Sequence, residues 1–336
     1  MIYGKITLED WRTACVEGEE PESSFESYNL RLFFFGTLYN RDTLQATPDD
    51  TNAKLAADAF LSDPAYGFSR LDGSFTIVYY SENECGVVRD HHGTHYPVYC
   101  HIDGNFATSW QFLEDQLEEN FEPNLVSLST FLQRGILKKN NFALFDVHSL
   151  GAGEKFYMLT ELGYLMPVWA SVKLETQANV HSMFDSLKER NPGLYEKVAD
   201  DIYCLKRDSV FEHEPKVATE RNPDVEAYSR RYGELHAQAI RRRIGDSRKV
   251  GILLSGGYDS GSNLAALRSI YDGQIDSYSV GFKGDAWTEL PMARLMSETF
   301  GTRHHEYEID GTETSALPDI VRFLGEPFME GGLMVN

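Results

Sequence analysis

From Val250 onward the sequence alternates short apolar runs with helical patterns, and this alternation restricts the fold more than any other feature. VGILL (Val250 to Leu254) passes through Ser-Gly-Gly-Tyr-Asp-Ser (255–260) into a helix expected over Ser262 to Tyr271. Leu264, Leu267 and Tyr271 share one side of that helix, and Gly273 is its stop. IDSYSVGF (Ile275 to Phe282), a helix over Thr288 to Phe300 ended by Gly301, and HHEYEI (His304 to Ile309) repeat the unit. Strand–helix–strand repeats with short connections predict a parallel sheet covered by helices on both faces. Ligands of such sheets bind at the carboxyl ends of the strands, where Ser255, Gly256 and Gly257 fall.

A strand that ends in Ser-Gly-Gly and enters a helix aims several backbone N–H groups one way, backed by the positive end of the helix dipole. The two glycines let a backbone approach an anion, and Ser255 and Ser260 add hydroxyl donors. Asp259 beside a phosphate is repulsive unless a cation lies between them, which Mg²⁺ would supply. The alternative is structural: a tight turn with Asp259 or Ser260 capping the helix. The pattern is not a Walker loop, whose lysine is absent. Matching S-G-G-x-D-S by chance has a frequency of roughly 10⁻⁶ per starting position.

Residues 1–166 follow a different pattern, short strands separated by turns. The strands expected are Arg31 to Tyr39, Phe75 to Ser81, Cys85 to Asp90, Pro97 to Ile102 and Asn105 to Trp110. Asp103-Gly104 reads as a two-residue hairpin turn. Helical patterns cover Thr51 to Leu61 and Pro123 to Leu132, the latter closed by Gly135, so antiparallel sheets flanked by helices are predicted. Residues 167–222 read as a linker or inserted helical segment, with helices near Val180 to Lys188 and Gly193 to Asp201. A third region, 223–336, opens on an amphipathic helix from Asp224 to Arg243. Val225, Tyr228, Tyr232, Leu235, Ala239 and Ile240 share one face of it.

The formal charge is −21, from 52 acidic and 31 basic residues, which disfavours wrapping nucleic acid. The basic run Arg241 to Arg243 is explained as cations near a helix C-terminus. No apolar segment is long enough to span a membrane and no secretory pattern opens the chain. Four scattered cysteines (Cys15, Cys85, Cys100, Cys204) point to buried thiols in a reducing cytoplasm. His91, His92 and His95 read as surface or packed histidines rather than metal ligands.

The loop, followed in order by Ser277 to Ile309, resembles the synthetase domain of the asparagine synthetase family, an ATP pyrophosphatase of the PP-loop type. Upstream, Leu71 to Tyr80, Val87 to Cys100, Phe106 to Trp110 and Phe145 to Met158 resemble, in order, landmarks of that family's N-terminal glutaminase domain. The resemblance implies a layered α-β-β-α nucleophile-hydrolase fold followed by an adenine-nucleotide domain. It implies ATP and Mg²⁺ as cofactors and a carboxylate, small or peptidic, activated as an acyl-adenylate with release of pyrophosphate. Ser255, Gly256, Gly257, Asp259 and Ser260 would hold the pyrophosphate, with Asp259 on Mg²⁺. Leu254 and Val280 would border adenine, and Glu326 resembles an acidic residue near the acyl-adenylate. A homodimer is compatible with the resemblance.

Several glutaminase landmarks depart from the family pattern. Met1 and Ile2 replace an N-terminal cysteine, and FFGTLYN (Phe34 to Asn40) has Phe35 where an oxyanion-hole asparagine belongs. Trp110 replaces a glutamate, and RDHHGTHYP carries one extra residue. The expectation is a ligase that works without glutamine hydrolysis, resembling β-lactam synthetases and lasso-peptide cyclases, on a chain that stops short of the family's full synthetase domain. The competing reading is a non-catalytic scaffold that only binds nucleotide. A transfer-RNA thiolation enzyme also uses the loop but fits the charge poorly.

Overall fold

The computed structural model describes residues 1–6, 11–64, 66–101, 104–117, 123–134, 147–159, 168–171, 224–284 and 288–324. The helices expected near 180–188 and 193–201, as well as Gly135, Cys204 and Glu326, lie outside the described residues. Two compact units are distinguished, the first described over parts of 1–171 and over 321–324, the second over parts of 224–320.

The first unit runs β1 (Ile2–Lys5), β2 (Val16–Gly18), β3 (Ser23–Glu26), β4 (Leu30–Leu38), α1 (Asn52–Ser62), β5 (Gly73–Ser81), β6 (Glu84–Arg89), β7 (Tyr99–His101), β8 (Asn105–Ala107), α2 (Trp110–Leu117), α3 (Leu125–Arg134), β9 (Val147–Ser149), β10 (Glu154–Leu159) and β11 (Val168–Ser171). Its strands form two sheets, ordered β2-β1-β8-β7-β9 and β11-β10-β6-β5-β4-β3. Every pairing in them is antiparallel.

Strand alternation sorts the side chains into layers. Leu30, Leu32 and Phe34 of β4, with Ile77 and Tyr79 of β5, meet Ala56, Ala59 and Phe60 of α1 on one face. Phe35, Val78, Val87 and Phe156 turn the other way and pack on Ile2, Cys100 and Phe106 of the five-stranded sheet. The outer face of that sheet, through Tyr99, Ala107 and Val147, is covered by Trp110, Leu113 and Leu117 of α2. The unit is thus helix on sheet on sheet on helix. Burial pushes the Cys85 thiol up to about 12 and also raises the Cys100 thiol well above its ordinary value. Cys15 is exposed.

One strand boundary differs from the sequence reading. The strand expected to reach Trp110 stops at Ala107, and Trp110 opens α2. Thr108 donates its N–H to the Ile2 carbonyl at 2.8 Å while its Oγ1 accepts from Ile2 N–H at 2.9 Å, closing the ladder. Ser109 O then accepts from Leu113 N–H and starts the helix, whose apolar residues three and four apart face the sheet.

The second unit runs α4 (Val225–Ile244), β12 (Val250–Leu253), α5 (Tyr258–Ile270), β13 (Ile275–Phe282), α6 (Leu290–Phe300) and β14 (Arg303–Ile309). Its three strands lie side by side in chain order and are parallel. Val250, Leu254 and Ile275 form one core with Leu264 and Leu267 of α5 and Ala293 of α6, joined by Ile240 and Ile244 of α4.

Helices cover only one face of this sheet among the described residues, which corrects the expectation of two. Along β13 the burial alternates strictly: Ile275, Ser277 and Ser279 are buried, while Tyr278, Val280 and Phe282 are exposed. Leu253 and Tyr307 extend the exposed face onto the flanking strands. Periodicity identifies the two faces of a strand but not whether anything lies against each. A second correction concerns α5, which begins at Tyr258 instead of Ser262. Gly257 is extended (φ −78°, ψ 167°) and its carbonyl accepts the first helical bond, from Gly261 N–H at 3.0 Å. Glycine inside the first turn hid that start.

Candidate functional site

The strand end beneath the loop is held from two sides. Leu254 donates its N–H to the Tyr278 carbonyl at 2.8 Å, and its own carbonyl accepts from Ser279 Oγ at 2.5 Å. Ser279 is buried, so this clamp lies inside the core. The chain then reverses at Gly256, whose φ of +89° belongs to the left-handed region. A Cβ there would also come within 2.7 Å of the Glu289 carbonyl at the start of α6. Gly261, one turn into α5, lies so close to Met296 that a Cβ would meet its Cε at 2.9 Å. Small residues therefore let the loop and the first turn of α5 nest against α6.

The hydroxyls of Ser255 and Ser260 lie 3.0 Å apart. Ser260 Oγ accepts from Ser255 N–H at 3.2 Å, and Ser255 Oγ accepts from Gly257 N–H at 3.2 Å. The two serines thus hold the loop in shape. The N–H groups of Tyr258, Asp259 and Ser260 open a helix of 13 residues. They precede its first backbone bond, have no protein acceptor among the described residues, and carry the positive end of the helix dipole. Asp259 and Tyr258 are exposed, Tyr258 at 96%. The site therefore offers a preformed ring of donors with the Asp259 carboxylate at its rim.

The structure brings together five of the expected site residues: Ser255, Gly256, Gly257, Asp259 and Ser260. Leu254 and Val280 do not share a surface. Leu254 is 2% exposed and points into the core with Leu264, whereas Val280 is 39% exposed on the opposite face of the sheet. Glu326 lies outside the described residues. Sequence reasoning missed Ser279 and Glu289, which fix the loop from behind. Strand parity places Ser279 facing inward, but its partner is a backbone carbonyl, which leaves no sequence pattern.

Two further clusters line the strands. Ser297, Thr302, Ser277 and His304 form a hydroxyl–imidazole chain with links of 2.7, 2.7 and 2.8 Å. His304 Nε2 lies 3.2 Å from Glu306 Oε1, which gives a serine–histidine–glutamate sequence. Ser277 is 0% exposed, so no substrate reaches it and the chain is structural. Glu306 is bidentate with Arg294 at 2.6 Å for both bonds, and this pairing holds its carboxyl below the usual range. On the other face Asp276 pairs with Arg303 and His305, and its carboxyl is lowered in the same way. Among the described residues no group of three or more His, Cys, Asp or Glu side chains could hold a metal ion by itself. None of their helices is long and apolar enough to cross a membrane.

In the first unit, Phe35 is buried between the sheets, and Gly36 follows at φ +110°. The Met1 α-amine is paired with Glu19 at 3.1 Å. Asp90, fully buried, accepts from the backbone N–H groups of His92, Thr94 and His95. Thr76 Oγ1 lies 2.9 Å from His95 Nδ1. These contacts organise the loop that carries His91, His92 and His95.

The family profile described as Asparagine synthase matches residues 231–334, which include the loop and both βα units. A Mycobacterium bovis protein named "Putative asparagine synthetase" (glutamine-hydrolyzing) is 31% identical over 108 residues, covering 31% of this chain and 16% of that protein. A Methanocaldococcus jannaschii protein of the same name, numbered 2, is 30% identical over 92 residues, covering 27% of this chain and 18% of that protein. The matched part spans less than a fifth of the length of these relatives. A solved glutamine phosphoribosylpyrophosphate amidotransferase from B. subtilis aligns with 85% of this chain and 72% of its own at 13% identity. Its TM-score of 0.30 is too low to inform the fold. Over residues 231–334 this chain is similar to the asparagine synthase family.

Proposed function

We propose that the second unit binds ATP through the 255–260 loop and activates a carboxylate as an acyl-adenylate, within a carbon–nitrogen ligase of asparagine synthetase type. The observation that carries this reading is the loop itself: a left-handed Gly256 and cross-linked Ser255 and Ser260 aim the N–H groups of α5 at one point. A triphosphate fits such a donor set better than a neutral ligand does. Asp259 places a carboxylate at that rim, and Mg²⁺ commonly takes one or two carboxylates with the remaining ligands from phosphate and water. The residues present therefore suit Mg²⁺ held jointly with the nucleotide, where it would neutralise phosphate charge.

In the proposed reaction a carboxylate oxygen attacks the α-phosphorus and the bond to the β-phosphate oxygen breaks, so pyrophosphate leaves. The loop donors stabilise the negative charge that accumulates on the departing group. An amine then attacks the acyl carbon and AMP departs. Leu254 and Val280 as walls of an adenine site, and Glu326 near the acyl group, stay with this proposal. For adenine, Val280 on the exposed face is the better placed of the two.

We infer further that glutamine hydrolysis does not supply the amine. Phe35 occupies the strand position of the oxyanion-hole asparagine, and a buried ring offers no donor to an oxyanion. The first unit, layered helix–sheet–sheet–helix like a nucleophile hydrolase, then serves as a platform. Titration calorimetry of the protein with MgATP tests nucleotide binding, and pyrophosphate exchange across a panel of carboxylates tests activation. Binding without exchange would favour the scaffold reading, and absence of both would end the proposal. Glutamate release from glutamine would refute the inference about the amine.

A further inference from the structure

The 255–260 loop offers backbone donors and a carboxylate, but no cationic side chain of its own. A triphosphate is strongly anionic and the chain stands at −21, so such a ligand is held back unless a local cation draws it in. Six lysines and arginines lie among residues 248–309, and five of them are committed or misplaced. Arg248 and Lys249 precede β12, at the amino end of the sheet and opposite the loop. Arg268 donates to the carbonyls of Tyr271, Gly273, Phe300 and Gly301. Arg294 is held by Glu306 and Arg303 by Asp276. The sixth, Lys283, is exposed, and among the described residues no acid is paired with its ammonium.

Lys283 directly follows β13, and its N–H donates to the Ile309 carbonyl at 2.8 Å, which carries the β13–β14 ladder one residue further. Strand alternation therefore turns its side chain to the face of Ile275, Ser277 and Ser279, the face on which α5 and α6 pack. Two close approaches relate this position to the loop. A Cβ on Gly281 would meet Leu290 Cδ1 at 2.6 Å and Thr288 Oγ1 at 3.2 Å, and one on Gly256 would meet the Glu289 carbonyl at 2.7 Å. Gly281 and Gly256 thus flank the same turn, 288–290, that leads into α6. Lys283 stands two residues beyond Gly281 toward the carboxyl end of the sheet, and Gly284 turns the chain immediately after it at φ +78°.

We propose that Lys283 binds the terminal phosphates of the nucleotide, and so the pyrophosphate that departs; this rests on the reading of the loop given above. Val280 puts the base on the open face of the sheet, whereas Lys283 shares the opposite face with the first turn of α5. The ammonium therefore meets the pyrophosphate end of the ligand. Its compact charge and three donors on a flexible stem suit a group whose charge is spread over several oxygens.

Calorimetric titration of the full chain with MgATP, and competition against it by inorganic pyrophosphate, test the assignment. Lys283→Met should weaken both ligands by roughly tenfold or more, the usual cost of losing a hydrogen bond to a charged group. Lys283→Arg keeps the charge and should stay within about threefold of wild type. Lys249→Met removes the same charge from the amino end of the sheet and should leave both affinities unchanged, because solvent ions screen it there. MgATP bound equally by wild type and Lys283→Met overturns the proposal. So do equal losses in Lys283→Met and Lys249→Met, which would make the effect one of net charge, and a loss that Lys283→Arg does not recover. A loss for MgATP with pyrophosphate competing as well as before moves the ammonium away from the leaving group and overturns it too. Wild-type protein that binds no MgATP ends the reading of the loop itself, and this assignment with it.

Discussion

Gly256 lies against the Glu289 carbonyl so closely that a Cβ on residue 256 would come within 2.7 Å of the oxygen. The oxygen belongs to a backbone that starts α6 and has no side-chain freedom with which to yield. Gly256→Ala therefore meets both this clash and the left-handed φ, and should destabilise the second unit by about 1–3 kcal/mol. MgATP affinity should fall at least tenfold, read by calorimetry beside the melting temperature.

Asp259 makes no contact that the fold needs, so Asp259→Asn should leave stability within about 0.5 kcal/mol of wild type. Nucleotide binding should lose most of its dependence on Mg²⁺, with MgATP weakened roughly tenfold or about 1.4 kcal/mol. Equal Mg²⁺ dependence in variant and wild type would remove Asp259 from the metal.

Ser255 and Ser260 act as one element because each hydroxyl accepts a backbone N–H and both meet at 3.0 Å. Removing either should loosen the loop almost as much as removing both. A double-mutant cycle on ATP affinity with Ser255→Ala and Ser260→Ala should give a coupling of about 0.5–1.5 kcal/mol.

In the first unit Lys155 is paired with Glu84 at 2.9 Å, with both side chains largely buried. Tyr79 also donates to Glu84, and the Lys155 ammonium sits 4.0 Å over the Tyr157 ring. Lys155→Met keeps the volume but leaves a buried carboxylate without its counter-charge. Chemical denaturation should show a loss of about 3–5 kcal/mol, the usual consequence of breaking a buried pair from one side.

Burial holds the His95 imidazole below its ordinary range, against the weaker upward pull of Asp90 and Glu19. The unfolded chain therefore takes up a proton near pH 6.5 that the folded chain takes up only at lower pH. His95 thus contributes full stability above pH 6.5, and that contribution is lost as pH falls through the folded value. The melting temperature of the first unit should drop between pH 6.5 and 5, and His95→Asn should flatten that part of the profile.

The local order of strand, glycine turn and helix was legible because each is written in neighbouring residues. VGILL, the two glycines and the Leu264 and Leu267 pair place the loop within a few residues of where it lies. What escaped was long-range. Trp110 reads equally well as the end of a strand, and only the Thr108–Ile2 contacts, across 106 residues of chain, end the strand before it. The apolar stripe of α4 predicts a helix correctly, yet nothing in the stripe says that Ile240 and Tyr232 serve different surfaces. Leu254 and Val280 look like equivalent strand residues, and strand parity assigned across the register of β12 and β13 puts them on opposite faces.

The double clamp on Leu254, with Tyr278 on its N–H and Ser279 on its carbonyl, has a kinetic consequence. It fixes the root of the loop in the core, and the loop's own hydroxyls fix its tip. An arriving anion then meets donors that need no rearrangement. Association should follow a single phase whose observed rate rises linearly with ligand concentration, and affinity differences among loop variants should be expressed in how quickly the ligand leaves.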